Sequence, residues 1–361
     1  MVHGTMKILI TGVCGFAGST IAEELARLPA GYQLFGIDNL SRSGSEVNLP
    51  RIKKCGIRFF PGDVRNASDL ESLPTVDWVI DAAANPSVLA GITGLVSSRQ
   101  LVEHNLLGTI NMLEYTKRSA GGLVLLSTSR VYSIAALASA PMDVVNEAFA
   151  PRQREIVLPG WTERGISEDF STRPPLSLYG CSKLTSELLA QEYAAAFGLP
   201  VYINRCGVLA GAGQFGKPDQ GIFSFWIHSY CRKRALKYIG FGGRGHQVRD
   251  CLHPRDLVSL LHQQIQSSGQ NAGQIINVSG GIGSSMSLAQ LNQWCGRRFG
   301  AHPVGSDGAQ RPFDIPWIVL DASRAEQLWG WRPVTPVEQV LNEIAEHALA
   351  HPEWLDLSSN P

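Results

Sequence analysis

A phenol and an ammonium stand four residues apart in Tyr179-Gly-Cys-Ser-Lys183, within a segment whose pattern predicts a helix from Tyr179 to Phe197. One helical turn separates them, so both face the same way. The lysine's charge favours the ionised phenol, drawing it down from its usual value of about 10 toward one that suits a general base. Such a base takes a proton from an alcohol. Upstream, Leu125-Leu126-Ser127-Thr128-Ser129-Arg130-Val131-Tyr132 carries an apolar strand into hydroxyls. Thr128 could hydrogen-bond the same oxygen from which Tyr179 removes the proton. On its own, a Y-x-x-x-K spacing is common in helices and would mean little.

An alcohol that loses a proton during oxidation also needs an electron acceptor. In residues 8–27, ILITGVCGFAGSTIAEELAR, an apolar strand breaks at Gly12-Val13-Cys14-Gly15-Phe16-Ala17-Gly18 and becomes a helix. Three glycines at such a junction serve a tight turn, close backbone approach to a diphosphate, and close packing of helix on sheet. The spacing is G-x-x-G-x-x-G rather than G-x-G-x-x-G. Free N–H groups and the positive end of the helix would face a dinucleotide's phosphates. Asp38, twenty residues beyond Gly18 at the end of the second strand, can accept hydrogen bonds from ribose hydroxyls and would repel a 2′-phosphate. NAD is therefore expected over NADP. Asn39, Ser41 and Arg42 follow on the same loop as cofactor contacts, and Arg42 is a residue that could accommodate a 2′-phosphate. Asp63 and Val64, in Pro-Gly-Asp-Val-Arg after the third strand, would meet the adenine; the alternative is a turn-capping aspartate. A nicotinamide's positive charge beside Tyr179 would favour the phenolate further.

These groups need a scaffold. Apolar runs at residues 7–11, 32–38, 57–63, 76–84, 122–128 and 200–206 alternate with helical patterns ending near Leu28 and spanning about Leu95 to Ser119 and Tyr179 to Phe197. Near-continuous apolar strands separated by helices predict a parallel sheet covered on both faces, a Rossmann-like doubly wound α/β fold. The expected NAD-binding domain spans residues 6–206 with a return near 245–280. Residues 207–244 and 281–361 then form a smaller C-terminal α/β substrate-binding domain, with a helix in FSFWIHSYCRK. The stretch from Ser133 to Pro175 is long for a connection and reads as a lid or binding element, with a surface insertion as the alternative.

At 361 residues the chain exceeds what one compact core usually holds. Its 31 basic and 31 acidic residues balance, so neither nucleic acid nor an anionic membrane is the expected partner, and the ligand should be small. No signal-like or membrane-spanning window is apparent, and a cytoplasmic protein is expected. Seven scattered cysteines without a C-x-x-C pair suggest reduced packing residues rather than disulfides or zinc ligands. His246 and His253 have no surrounding ligand cluster and read as turn or core histidines, so no metal is expected.

Over residues 6–345 the chain resembles the extended short-chain dehydrogenase/reductases, the nucleotide-sugar epimerase and dehydratase family. The family's T-G-x-x-G-F-x-G-S falls on Thr11 to Ser19, its ribose acid on Asp38, its adenine-side acid on Asp63, and its catalytic set on Thr128, Tyr179 and Lys183. The resemblance implies that Ala82, Ala83, Ala84, Asn105 and Arg205 contact NAD and that Asn85 contacts substrate. Where the family's H-x-A-A-Q begins with histidine, this chain has Asp81; Asn105 to Thr109 keeps its N-x-x-G-T.

The family's dehydratases carry Asp-Glu after the threonine, and its decarboxylases a glutamate two places on; here stand Ser129 and Arg130. Without an acid there, the resemblance implies epimerisation through a transient keto-sugar. The strings around Gln214, Phe215, Gln220 and Gly221, and around Arg249, resemble the CDP-paratose 2-epimerase branch. That likeness implies a CDP-sugar whose diphosphate is held by Arg249 and by Arg311 with Asp314; the structural alternative for Arg249 is an ion pair with Asp250 or Asp256. Another nucleotide sugar, a 4-epimerase, a dehydrogenase and a non-catalytic NAD sensor stay open. Family members usually dimerise through the helices near 95–119 and 179–197, which implies a homodimer or higher homo-oligomer.

Overall fold

The computed structural model describes residues 5–92, 97–267 and 269–359. Strands β1 (Lys7–Thr11), β2 (Gln33–Asp38), β3 (Arg58–Pro61), β4 (Trp78–Asp81), β5 (Leu123–Thr128), β6 (Val201–Cys206) and β7 (Ile275–Val278) form one sheet in the order β7-β6-β5-β4-β1-β2-β3. All neighbouring pairs are parallel. The strand order reverses beside β1, which in an open parallel sheet marks the crevice where ligands bind. β5 is buried along its whole length because both faces of the sheet are covered. Ile10, Ile80 and Val124 enter one apolar cluster, and Leu9, Val79 and Leu125 the other.

Helix α1 (Phe16–Ala26) follows the glycine turn. Helix α2 (Ser98–Val102) continues through a π-type turn at Glu103–Leu107 into α3 (Gly108–Ser119). The start expected at Leu95 lies outside the described residues. Helix α4 (Leu178–Phe197) opens with Ser177 as its cap, whose hydroxyl accepts from the Gly180 N–H at 3.0 Å. Gly180 admits no side chain, since a Cβ would fall 2.2 Å from the Arg130 carbonyl oxygen. That close approach presses the start of α4, with Tyr179, against the loop leaving β5.

Beyond β6 the chain builds α5 (Ile222–Cys231), α6 (Pro254–Gln266), a helix at Leu288–Phe299, α7 (Val337–Ala350) and α8 (Trp354–Ser359). α6 packs on α1, and β7 joins the sheet beside β6. α5, Leu288–Phe299 and α7 enclose a separate core containing Trp226, Leu291, Trp294, Leu341 and Ile344. Val248–Asp250 lies between Ser285–Ser287 and Trp317–Ile318 in a small sheet, and Leu236–Ile239 pairs with Val304–Asp307.

The stretch from Ser133 to Pro175 is not the expected lid. It forms a short helix and two hairpins, and none of its residues lines the cleft described below. The Ile166 N–H donates to Val319 O at 2.8 Å, and the Phe149 N–H donates to His246 O at 2.8 Å. Ile166 and Phe170 pack with Trp317 and Leu320, so apolar burial holds this stretch against the C-terminal part.

Candidate active site

A cleft of about 970 Å³ opens along the C-terminal edge of the sheet, between it and the C-terminal part. Its cofactor side begins at Gly12, whose backbone has φ +61°, a conformation that favours glycine. A Cβ on Gly18 would lie 2.1 Å from the Gly12 carbonyl oxygen, so the first turn of α1 presses directly on the loop. The N-cap of α1 is Gly15, with no side-chain cap and no acid in the first turn. Bare N–H groups at a helix start suit an anion.

Opposite the turn, Asp81 ends β4 and accepts from the Thr11 hydroxyl at 2.6 Å; the same hydroxyl accepts from Ala82 N–H at 3.1 Å and Ala83 N–H at 3.0 Å. This capture stops β4 at Asp81 rather than at residue 84, and it gives the acid that replaces the family's histidine a structural task. Ala82, Ala83, Ala84 and Asn85 are thereby laid along the cleft.

At the end of β2, the Asp38 carboxylate accepts from Cys14 N–H at 2.9 Å and Leu40 N–H at 2.8 Å. Burial raises its pKa, and these amides oppose the shift. The Asn39 amide donates to Asp63 at 2.9 Å, and Arg65 clasps the same carboxylate. Burial works against Asp63's charge, but the Arg65 and Asn39 hydrogen bonds hold it well below the usual carboxylate range. Asp63 both organises its turn and lines the cleft with Val64. Arg42 donates to the Phe215 carbonyl, so its guanidinium is spent on a link across the cleft. Ser41, Gly15, Phe16 and Ala17 also line this side.

Thr128 closes β5, with Tyr179 and Lys183 beside it; all three line the cleft and are buried. Tyr179 and Thr128 face the same stretch of the cleft wall. Burial pushes the phenol up, against the polar Thr128 hydroxyl and the charge of Arg130. That direction is opposite to the one the Lys183 spacing suggested, because enclosure outweighs the nearby positive charge. Burial pushes Lys183 down, opposed by Asp81 and Glu187.

Two expected cofactor contacts are placed elsewhere. Arg205 does not line the cleft; its guanidinium grips the buried Glu187 carboxylate at 2.7 Å and lies over the Tyr132 ring at 5.0 Å. β6 aims this side chain at α4, away from the ligand edge. Asn105 is also absent from the lining. From the π-type turn its side-chain Oδ1 accepts from Asn85 N–H at 2.7 Å, and its side-chain amide donates to Asn85 O and Ser182 Oγ at 3.1 Å each. It ties the β4 loop to the catalytic helix.

The remaining candidates, Ser129, Arg130, Gln214, Phe215, Gln220, Gly221, Arg249, Arg311 and Asp314, line the far side. Arg249 pairs with Asp314 at 3.2 Å rather than with Asp250 or Asp256. Asp250 is occupied by Ser279 and backbone amides, and Asp256 by Thr335. Arg130 donates to Phe313 O at 3.4 Å. Burial first, and then the charge of Arg249, push its pKa down to about 9. Arg311 donates to Pro218 O at 3.0 Å. Gln214 Oε1, Gln247 Oε1 and Asp314 Oδ2 are buried acceptors without a partner among the described residues. Unmet acceptors are costly, and N–H or O–H groups of a ligand would satisfy them. Gln247 and Asp219 stood inside the recognised strings but were not singled out, and Ser87, which hydrogen-bonds Asp219 across the cleft mouth, carried no sequence signal. Among the described residues, no group of three or more metal-binding side chains is assembled, and all seven cysteines are free.

A doubly wound sheet with a bare glycine turn, an acid closing the next strand and a Thr/Tyr/Lys set at the same edge defines a Rossmann-fold enzyme that works with a dinucleotide. Residues 8–279 match the NAD dependent epimerase/dehydratase family, and the chain belongs to it. It is 30% identical over 344 residues to CDP-paratose 2-epimerase of Salmonella typhi, covering 91% of this chain and 95% of that protein. It is 28% identical to UDP-glucuronate 4-epimerase of Thermodesulfobacterium geofontis, covering 92% and 93%. The crystal structure of UDP-glucuronic acid 4-epimerase from Bacillus cereus, with UDP-glucuronic acid and NAD, matches with TM-score 0.77 at 23% identity, covering 96% of this chain and 99% of that one. The cofactor is NAD, and the bare start of α1 with Asp38 beyond it fits that group.

Proposed function

We propose that the protein is an epimerase acting at C2 of a nucleotide-diphosphate sugar, with a CDP-linked deoxyhexose as substrate. One observation carries the reading: Thr128 and Tyr179 meet at the cleft wall, and the two positions that follow Thr128 hold Ser129 and Arg130 instead of an acid. Elimination therefore lacks its proton donor at that point. The likeness to CDP-paratose 2-epimerase supports the choice of base and carbon.

Bound NAD supplies the acceptor for the substrate's hydride and returns it, so none is consumed. Tyr179 takes the hydroxyl proton and later gives it back, and Thr128 orients that hydroxyl. Lys183 favours the phenolate and would hold the nicotinamide ribose, where the positive charge of NAD would counter the upward push of burial on Tyr179. Arg249 and Arg311 suit a diphosphate, their planar guanidinium groups matching its oxygens. The keto-sugar presents its other face before reduction.

Purified enzyme incubated in deuterated water with CDP-, UDP- and GDP-sugars tests this. The expected product is the C2 epimer without solvent deuterium at C2 and without net NADH, and Tyr179→Phe should cut turnover by about 10²–10⁴-fold. Deuterium at C2, steady NADH release or elimination product would overturn it. The likeness to UDP-glucuronate 4-epimerase favours a second reading, 4-epimerisation of a UDP-sugar, which the same panel separates. The intact Thr128, Tyr179 and Lys183 argue against a non-catalytic NAD sensor. A cytoplasmic location accompanies the reading, because NAD and activated sugars are supplied there. So does a homodimer, whose contact face would include Leu178 and Leu188, exposed on the outer side of α4.

A further inference from the structure

We infer that Trp354 and Ser358, on the C-terminal helix α8, are positioning residues for substrate, acting through the loop from Gln214 to Gly221. This rests on the reading of that loop as the nucleotide-sugar side of the cleft. Neither residue lines the cleft.

Three consecutive carbonyls of the loop are each held by a side chain from elsewhere in the fold. The Trp354 indole N–H donates to Gln214 O at 2.9 Å, Arg42 donates to Phe215 O, and the Ser358 hydroxyl donates to Gly216 O at 3.2 Å. The Trp354 ring also stacks on Phe215, with centroids 5.2 Å apart and planes 13° apart. Trp354 is itself fixed: it is 6% exposed and meets the His347 ring edge-on at 4.5 Å. Ser358 is fully buried.

The consequence falls on Gln214. Its backbone is pinned by Trp354 and by the Ser224 hydroxyl, and its side-chain amide donates to Leu209 O at 2.7 Å. Both anchors aim Gln214 Oε1, a buried acceptor with no partner among the described residues, at one place in the cleft wall. A sugar hydroxyl or the exocyclic amine of a base is the chemistry that would satisfy it. α8 thus presets an acceptor that a mobile loop would have to order on binding, and ordering costs affinity. Because the pegs act on binding and not on proton transfer, their loss belongs in KM and Kd, with kcat retained.

The test uses the full chain. Calorimetry with CDP, UDP and GDP finds the nucleoside diphosphate that the wild type binds best, and steady-state kinetics follow with the matching nucleotide sugar. Trp354→Phe keeps a ring on Phe215 and removes the N–H, while Ser358→Ala removes the neighbouring peg. Asp356→Asn, on the same helix as the two pegs, is the control; it cuts the exposed ion pair to Arg234. Each of the first two is expected to raise Kd and KM by about three- to ten-fold, the worth of one hydrogen bond, with kcat changed by less than about two-fold. The control should match wild type. Native Kd and KM in both variants, or an equal loss in the control, would overturn the inference. If Kd shifts as expected while no sugar is epimerised at C2, the positioning role stands and the proposed reaction fails.

Discussion

Glu187 is 1% exposed and sits one turn beyond Lys183 on α4, where Arg205 grips it and Ser127 donates a further hydrogen bond. Burial works against the Arg205 charge, but the Glu187 hydrogen bonds hold the guanidinium above its usual value. Removing one partner of a buried ion pair leaves an uncompensated charge, at a cost of about 3–5 kcal/mol. Arg205→Leu is therefore expected to lose that much stability in urea unfolding while the folded protein still takes up NAD. Weakened NAD binding at native stability would instead return Arg205 to the cofactor site. The contrast marks what the sequence could tell. Thr128, Tyr179 and Lys183 were legible because a strand end and a one-turn spacing dictate where side chains point. The partner of Arg205 was not, since only the packing of β6 under α4 decides that its guanidinium turns inward. Likewise, the bond from Ser87 to Asp219 joins residues 132 apart, and no local pattern announces it.

Helix ends show a second kind of dependence. His253 caps α6, its Nδ1 accepting from Arg255 N–H at 3.1 Å, which requires an unprotonated nitrogen. Burial, then the charge of Arg255, push His253 down to about 4, against Glu343 and Asp256. His347 and His228 face each other at 3.4 Å between α7 and α5, with burial pushing them down to about 4 and about 3. Unfolding frees each to bind a proton near pH 6.5, so the unfolded chain holds more protons below that pH. Their stabilising contribution is complete above about pH 6.5 and declines as pH falls toward about 4. Thermal unfolding should show Tm falling from pH 7 to pH 5. His253→Asn, which keeps a capping oxygen and cannot titrate, should flatten the decline; an unchanged slope would exclude His253 as a contributor. The central strands were legible because their apolar runs are nearly continuous, and α4 because its helical pattern is sustained over 20 residues. The hairpins between Ser133 and Pro175 were misjudged, because a polar, proline-rich surface loop and a stretch docked by a few long-range contacts share one composition. α8 gave no signal at all, being too short for periodicity to show.

The cleft takes one wall from the sheet and the other from the C-terminal part, and α4 has a buried inner face and an exposed outer one. Inward it carries Tyr179, Lys183 and Glu187, all buried; outward it exposes Leu178 and Leu188, at 37% and 56%. Val102 and Leu107, on the adjoining run from α2 into α3, are also exposed. Leaving large apolar side chains in water forgoes about 1.5–3 kcal/mol each, which an isologous contact between two copies would recover. In the proposed homodimer the outer face of the catalytic helix is therefore the contact, and the active site opens on the opposite side of it. Leu188→Arg places a charge in that contact and is expected to give a monomer in light scattering, with α4 intact by circular dichroism. Lys183 stays enclosed within its own subunit, so the monomer should still bind NAD. A wild type that scatters as a monomer at micromolar concentration, or a Leu188→Arg protein that stays dimeric, would remove this face from the assembly.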